Sequence, residues 1–466
     1  MTLIKSISGI RGTIGGKVNE NLTPIDMVKF ASAYGFWLLQ ENKDKATKLK
    51  VIIGRDARIS GKMASSLVAN TLIGLGIDVV DLGLSTTPTV EIAVPLENAD
   101  GGIILTASHN PKQWNALKLL NEKGEFINDK QGKIILDIAK KDAYSFAEVD
   151  NLGNYHKKPN YIKKHIKEVL NLDLVDVEAV KKANFKVVVD AVNSTGGIAI
   201  PELLKALEVD CVELYCEPNG DFPHNPEPLP ENLTEISKLV VDSKADLGIV
   251  VDPDVDRLAL VCEDGSMFGE EYTLVACADY VLSKNKGNTV SNLSSSRALA
   301  DVTKKHGGTY FASAVGEVNV VKMMKDKNAV IGGEGNGGII YPDSHYGRDS
   351  LVGVALFLSH LAQQKISCKA LRETYPQYYM SKNKIELTPE INVEDILKAI
   401  QDKYKQERIT TIDGVKIDFE KEWVHLRKSN TEPIIRIYTE STSQEKADKL
   451  AKKMIQEIKE IVSANT

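Results

Sequence analysis

Three rounds of strand–helix–strand, followed by a last hundred residues patterned differently, predict an α/β protein. The expected architecture is three successive α/β domains with mixed, mostly parallel sheets around a central cleft, plus a smaller C-terminal α+β domain. The length of 466 residues points the same way. One hydrophobic core does not grow to that size, and about 150 residues per domain gives roughly three or four domains. Hydrophobic residues at 42% and charged residues at 26% are ordinary for a globular chain.

The elements follow in order. Val51-Ile52-Ile53 reads as a strand, Lys62 to Leu75 carries helical periodicity, Gly76 stops it, and Ile77–Val80 resumes as strand. The second round is Lys186–Val189, a helix over 201–207, then Cys211–Leu214. The third is Asn288–Val290, a helix from Ser296 to His306, then Gly308–Phe311. Recurrence at roughly 100 residues suggests one unit used three times. In the last part, Val393 to Tyr404 is helical. Gly414–Phe419, Trp423–Leu426 and Ile434–Tyr438 read as strands, and Ser443 to Val462 is a long amphipathic helix. The expected domains are 1–153, 154–256, 257–370 and 371–466.

Composition excludes several classes. A net charge of −6 argues against nucleic acid or an anionic membrane as the main partner. The five cysteines are scattered with no CxxC pair, as in a reducing compartment. No apolar stretch reaches the roughly 20 residues of a membrane span. The start, Met1–Ser6, is soon followed by Arg11 and glycine-rich sequence, which is not a signal peptide. A cytoplasmic protein is expected.

Five strings carry chemistry. Thr106-Ala107-Ser108-His109-Asn110-Pro111 follows the apolar run Gly102–Leu105. A hydroxyl on a turn at a strand's C-terminal end lies where α/β sheets hold ligands, although Ser-Asn-Pro is also a plain loop signal. Asp252-Pro253-Asp254-Val255-Asp256-Arg257 follows Leu247–Val251, and strand-like alternation would put its three carboxylates on one side. Such a group repels itself unless a cation neutralises it, and carboxylate oxygens suit Mg²⁺. An EF-hand is disfavoured because Arg257 stands where that loop needs glycine. A phosphatase of the DxD kind stays open. Gly332-Gly333-Glu334-Gly335-Asn336-Gly337-Gly338 lets backbone approach a ligand, with Glu334 and Asn336 suited to sugar hydroxyls. Arg427-Lys428-Ser429-Asn430-Thr431-Glu432-Pro433, with Arg436 after it, joins two expected strands and offers a phosphate cradle. Ser8-Gly9-Ile10-Arg11-Gly12 adds a fixed positive charge at Arg11.

In this order and over the whole chain, the strings resemble those of the α-D-phosphohexomutase superfamily, which interconverts 1-phospho and 6-phospho sugars. Thr106–Pro111 matches its phosphoserine loop and Asp252–Arg257 its metal loop. Gly333–Gly337 is similar to its sugar-binding loop, and Arg427–Pro433 resembles its phosphate-binding loop. The resemblance implies that Ser108 becomes phosphoserine. It implies that Asp252, Asp254 and Asp256 hold one Mg²⁺, with the phosphorylated Ser108 as a further ligand. Arg257 would stabilise the transferring phosphoryl group, Arg11 would contact the phosphoserine, and His109 and Lys118 are candidates for proton handling. Glu334 and Asn336 would bind sugar hydroxyls. Arg427, Ser429, Asn430, Thr431 and Arg436 would grip the non-reacting phosphate. A glucose 1,6-bisphosphate-type activator, hexose phosphate substrates, and a monomer or homodimer are implied.

Two departures bear on substrate. Gly338 stands where many bacterial relatives have His, so a proton role must shift elsewhere, and Ala116 stands where the family often has Gly. Asn336 resembles archaeal-type members that are broad among glucose and mannose phosphates. Phosphoglucosamine mutase remains the competing expectation. A metal-dependent sugar phosphatase and a non-catalytic sugar-phosphate sensor are the other classes.

Overall fold

The computed structural model describes residues 2–6, 9–387, 392–428 and 434–465. Its first sheet has seven strands, with Ile103, Ile104 and Leu105 fully buried at the centre. The strands Lys50–Arg55, Asp78–Leu84, Gly101–Leu105 and Tyr155–Lys157 pair in parallel. Ile4–Ser6, Gly9–Thr13 and Trp114–Leu120 add antiparallel pairs on one side. Helices cover both faces. Pro24–Glu41 begins at a capping box between Thr23 and Asp26, and Thr87–Leu96 covers the other face.

The second and third units each have a four-stranded sheet with three parallel strands and one antiparallel edge. They share one hydrophobic core, whose axis is the helix Ser350–Gln364. That helix is apolar nearly all round, as a helix buried on every side must be. Asp349 caps its N-terminus through the amides of Leu351 and Val352. The C-terminal unit is a five-stranded antiparallel sheet, from Tyr379–Glu386 to Ile434–Ser441, with the helices Val393–Lys403 and Gln444–Asn465 packed on it. Three α/β units and a smaller α+β unit are therefore the fold, as the sequence predicts.

Two expected boundaries shift. The strand Tyr155–Lys157 belongs to the first sheet, and Leu258–Cys262 closes the second, so a division at 256/257 cuts a hairpin. The sequence pattern predicts the parallel strand–helix–strand units. It does not reveal that each unit contains an antiparallel hairpin. Those hairpins are Gly101–Leu105 with Trp114–Leu120, Leu247–Val251 with Leu258–Cys262, and Ala329–Glu334 with Gly338–Ile340. Trp423–Lys428 pairs with Ile434–Ser441 in the same way. Four of the five singled-out strings join the two strands of these hairpins. The first three sheets thus present a hairpin connection rather than a strand-to-helix loop, and in the fourth the string links two paired strands.

Candidate active site

Ser108 lies in the first of these turns with φ +48°, a left-handed conformation costing roughly 1–3 kcal/mol for a residue with a side chain. The neighbourhood holds it there. Its amide donates to Thr106 Oγ1 at 3.0 Å, and Thr106 Oγ1 donates to Asp56 Oδ2 at 2.6 Å. The buried guanidinium of Arg58 donates to the carbonyls of Ser108, Asn110, Pro111 and Trp114, and through Nε to Asp56. The Ser108 hydroxyl donates to Asp252 Oδ2 at 2.6 Å. His109 Nδ1 lies 3.5 Å from the same Oγ.

The acidic triplet is fully buried, and one ligand atom from each of Asp252, Asp254 and Asp256 lies within 4.8 Å of the others. Strand alternation is not what brings them together. The strand stops at Val251, and Asp252–Arg257 is a turn in which Val255 adopts φ +65°. Asp252 Oδ1 closes that turn by accepting from the amides of Asp256 and Arg257, both at 3.1 Å. A β-branched residue at positive φ is strained, so the convergence of the carboxylates is held against a backbone cost.

The electrostatics are those of a cation site. Burial, with Asp256 and Asp254 close by, pushes the Asp252 carboxyl well above the usual range. Burial pushes Asp254 the same way, but Lys118 at 2.7 Å and the Thr87 hydroxyl outweigh it and hold Asp254 below that range. Lys118, from the strand Trp114–Leu120, also reaches Asp256 at 3.3 Å. Burial opposes its charge, yet the two carboxylates keep the ammonium protonated above its usual range. Two buried oxygens, Asp254 Oδ1 and Asp256 Oδ1, accept no hydrogen bond. A buried carboxylate oxygen without a partner is costly. Three hard oxygen donors with two of them unmet fit a divalent cation such as Mg²⁺.

The remaining strings converge on the same cleft. A cavity of about 240 Å³ is lined by His109, Arg257, Glu334, Asn336, Arg427 and Arg436, among others. Glu334 accepts from Asn292 Nδ2 at 2.9 Å and from the amide of Gly316 at 3.1 Å. Asn336 Oδ1 caps its own turn through the Gly338 amide. Arg257 has a buried Nε without a hydrogen bond, and so does Arg11. Burial and the nearby charge of Arg436 lower the Arg11 pKa. Arg427 and Arg436 are direct cross-strand partners, an arrangement of like charges that an anion between them would relieve. Ser429, Asn430 and Thr431 lie outside the described residues. Burial, then Arg257, hold His109 well below its usual pKa, so its imidazole is neutral.

Several site residues have no sequence expectation behind them. Arg58 and Asp56 build the Ser108 turn. The signal was an Arg-Asp-Ala-Arg run directly after a strand, which resembles any charged loop. Arg348 donates to Asp256 at 2.7 Å and to Glu317 at 2.8 Å, and lies 3.4 Å from Glu334. It thereby ties the acidic turn to the sugar-type turn. Asn292–Ser296 supplies Glu334, Gly335 and Glu271 with partners. As a run of serines leading into the expected helix from Ser296, it carries no signal of a site.

The chain matches the family models for phosphoglucomutase/phosphomannomutase along its length: alpha/beta/alpha domain I over residues 4–145, domain II over 161–265, domain III over 269–379, and the C-terminal domain over 385–457. A phosphoglucomutase/phosphomannomutase of Thermococcus kodakarensis is 36% identical over 94% of this chain and 95% of its own. A phosphoglucosamine/phosphogalactosamine mutase of Sulfurisphaera tokodaii is 32% identical over 97% and 98%. The crystal structure of a phosphoglucomutase/phosphomannomutase family protein from Burkholderia thailandensis superposes with a TM-score of 0.83, at 26% identity, over 98% of both chains. With all four domains matched in order on a fold of the same plan, the chain belongs to the phosphoglucomutase/phosphomannomutase family.

Proposed function

We propose that this phosphohexomutase interconverts hexose 1-phosphates and hexose 6-phosphates, glucose and mannose foremost, with Ser108 as phosphoryl carrier. The observation that carries the reading is the Ser108 hydroxyl hydrogen-bonded to a buried carboxylate triplet with two unmet oxygens. An acyl-transfer serine needs an activating base and an oxyanion hole. Here the hydroxyl donates to Asp252, one of three carboxylates that would hold a cation, and Arg257 lines the adjoining cavity, a setting that suits a phosphate dianion.

In the cycle, the P–O bond of phosphoserine 108 breaks as a sugar hydroxyl oxygen bonds to phosphorus, giving a 1,6-bisphosphate. The hydroxyl proton leaves to a base. Neutral His109 can take it, whereas Lys118 is held as an ammonium by Asp254 and Asp256. After the bisphosphate turns over, its other phosphoryl group returns to Ser108 Oγ and the proton goes back to the sugar oxygen. Added glucose 1,6-bisphosphate would load Ser108 in the same way. Asp252, Asp254 and Asp256 would hold Mg²⁺, which supplies charge neutralisation on the transferring group. Arg257 adds a fixed positive charge beside it, and Arg11 holds the phosphoserine. Glu334 and Asn336 bind hydroxyls, and Arg427 and Arg436, with Ser429, Asn430 and Thr431, hold the second phosphate. Ser108 is 7% exposed, which limits the water that can reach the loaded serine.

A glucosamine phosphate is the second reading. The cavity is also lined by Glu227, 3.4 Å from Arg257, and by Glu271, whose carboxyl burial pushes up to about 8, each able to accept a hydrogen bond from an amino group, and the Sulfurisphaera relative is named for amino sugars. The test is turnover of glucose 1-phosphate with Mg²⁺ and a trace of glucose 1,6-bisphosphate. Glucose 6-phosphate from wild type but not from Ser108→Ala is expected. Phosphate release that survives Ser108→Ala would show a phosphatase instead, and binding without turnover by wild type a sensor. Parallel assays with mannose and glucosamine phosphates rank the sugars.

A further inference from the structure

The C-terminal unit docks on the third unit through polar contacts that end in the cleft. Asp413 sits in the turn before the strand Val415–Asp418. Its Oδ2 accepts from the Val315 amide at 2.9 Å and pairs with Arg427 Nε at 2.8 Å. Its carbonyl oxygen lies 2.7 Å from His425 Nε2, and His425 Nδ1 lies 2.9 Å from Ser294 Oγ. A carbonyl only accepts, so Nε2 carries the proton, Nδ1 is bare, and Ser294 donates to it. Burial pushes the His425 pKa down to about 4, which keeps the ring in that form. Beside it, Lys416 Nζ donates to the Leu293 carbonyl at 2.8 Å. Ser294, Val315 and Arg427 all line the 240 Å³ cavity.

The contacts continue inward. Gly316, next to Val315, donates to Glu334. Glu317 accepts from Arg348, and Arg348 donates to Asp256. A connected path of hydrogen bonds, ion pairs and adjoining backbone thus runs from Arg427 to the acidic turn, and Asp413 is its link between units. Its charge also offsets Arg427, which faces Arg436 across the strand pair.

We propose that Asp413 is a positioning residue for the hexose phosphate. It aims Arg427 at the non-reacting phosphate and ties it to Val315–Glu317, so that seating this phosphate and placing Glu334 and Arg348 are one event. The proposal rests on the reading of Arg427 as a phosphate ligand.

Steady-state kinetics with glucose 1-phosphate test it. Asp413→Asn keeps an acceptor for the Val315 amide and removes the charge that orients Arg427. Loss of the ion pair that orients Arg427 is expected to raise KM at least about tenfold, with kcat within twofold, since the contact is equal in ground and transition states. Added to Arg427→Ala, Asp413→Asn is expected to change KM less than twofold further, because it acts through Arg427. Asp413→Ser, which also retains an acceptor, repeats the test if the first variant does not fold. An unchanged KM, a fall in kcat alone, or an additive rise in the double variant overturns the proposal. If Arg427→Ala itself leaves KM unchanged, the phosphate reading of Arg427 falls and the proposal with it. A rise with Arg427→Ala but none with Asp413→Asn refutes Asp413 alone.

Discussion

Arg58 should tolerate no substitution, lysine included. Its guanidinium carries five N–H groups, and each has an acceptor. Nε donates to Asp56 at 3.0 Å, Nη1 to the Pro111 and Trp114 carbonyls at 2.7 and 3.0 Å, and Nη2 to those of Ser108 and Asn110 at 2.5 and 2.6 Å. The side chain is 0% exposed, so water cannot replace a lost donor. Lysine keeps the charge but has three donors on one nitrogen. At least two of the five acceptors then lose their partner, at roughly 1–3 kcal/mol each, or roughly 2–6 kcal/mol together. Arg58→Met also strands the Asp56 carboxylate, a broken buried pair worth roughly 3–5 kcal/mol. The carbonyls set free belong to the turn that holds Ser108 at positive φ, so the turn relaxes and carries Oγ off Asp252. A misplacement of about 1 Å costs on the order of 100-fold in rate. The assay is urea unfolding followed by Trp37 and Trp114 fluorescence, with kcat for glucose 1-phosphate measured on the same samples. Arg58→Lys is expected to lose stability in the stated range and about 100-fold in kcat, with KM little changed. Wild-type unfolding together with kcat within twofold would refute the five-donor account.

Asp254→Asn should weaken Mg²⁺ binding in calorimetry by more than the roughly 10–100-fold typical of outer-shell changes. Chelation should abolish turnover without unfolding the chain, because Lys118 already offsets Asp254 and Asp256; a large drop in melting temperature on chelation would contradict this. His425 titrates near pH 4 when folded, against about 6.5 in an unfolded chain. The folded state therefore binds fewer protons between those values, and the stability contributed by the neutral ring is present above about pH 6.5 and lost as pH falls toward 4. Urea midpoints of the C-terminal unit, read at Trp423, should show this slope, and His425→Gln should flatten it; an identical slope in the variant would count against the assignment. Gly337 has φ +82°, and a Cβ there would lie 2.2 Å from the Leu258 carbonyl, whereas Gly15 at φ +91° has open space. Gly337→Ala should cost clearly more than the roughly 1–2 kcal/mol of the left-handed conformation alone, while Gly15→Ala pays only that; equal losses would mean that the contact is yielding.

The sequence showed most where one residue type repeats with a period. The helix Gly61–Gly74 and the strand Lys186–Asp190 fall within a few residues of their expected limits, because burial on one or both faces imposes a pattern. The strings at Ser108 and Asp252 were legible because reactive residue types were crowded into short spans. What stayed hidden was partnership across units. Nothing near Arg348 in the chain points to Asp256, 92 positions away, and nothing in Asp413 points to Val315. A single buried arginine looks like any other until its acceptors are known. The hairpin turns were hidden for another reason: an antiparallel return strand such as Leu258–Cys262 reads like any short buried run, and periodicity does not give direction.

On the proposed reading the site draws on Arg11, Ser108, Asp252 and Arg427, so its parts leave the ribosome far apart in time. At about 5–20 residues per second, the span from Ser108 to Arg427 takes roughly 16–64 s to synthesise. The first unit completes its own sheet well before the acidic turn exists. During that interval the nascent chain carries the Ser108 turn already shaped by Arg58, but without the carboxylates, and then without the arginines of the last hairpin. On that reading phosphoryl transfer would be withheld until the final hundred residues dock, and a prematurely terminated chain would lack a working cleft.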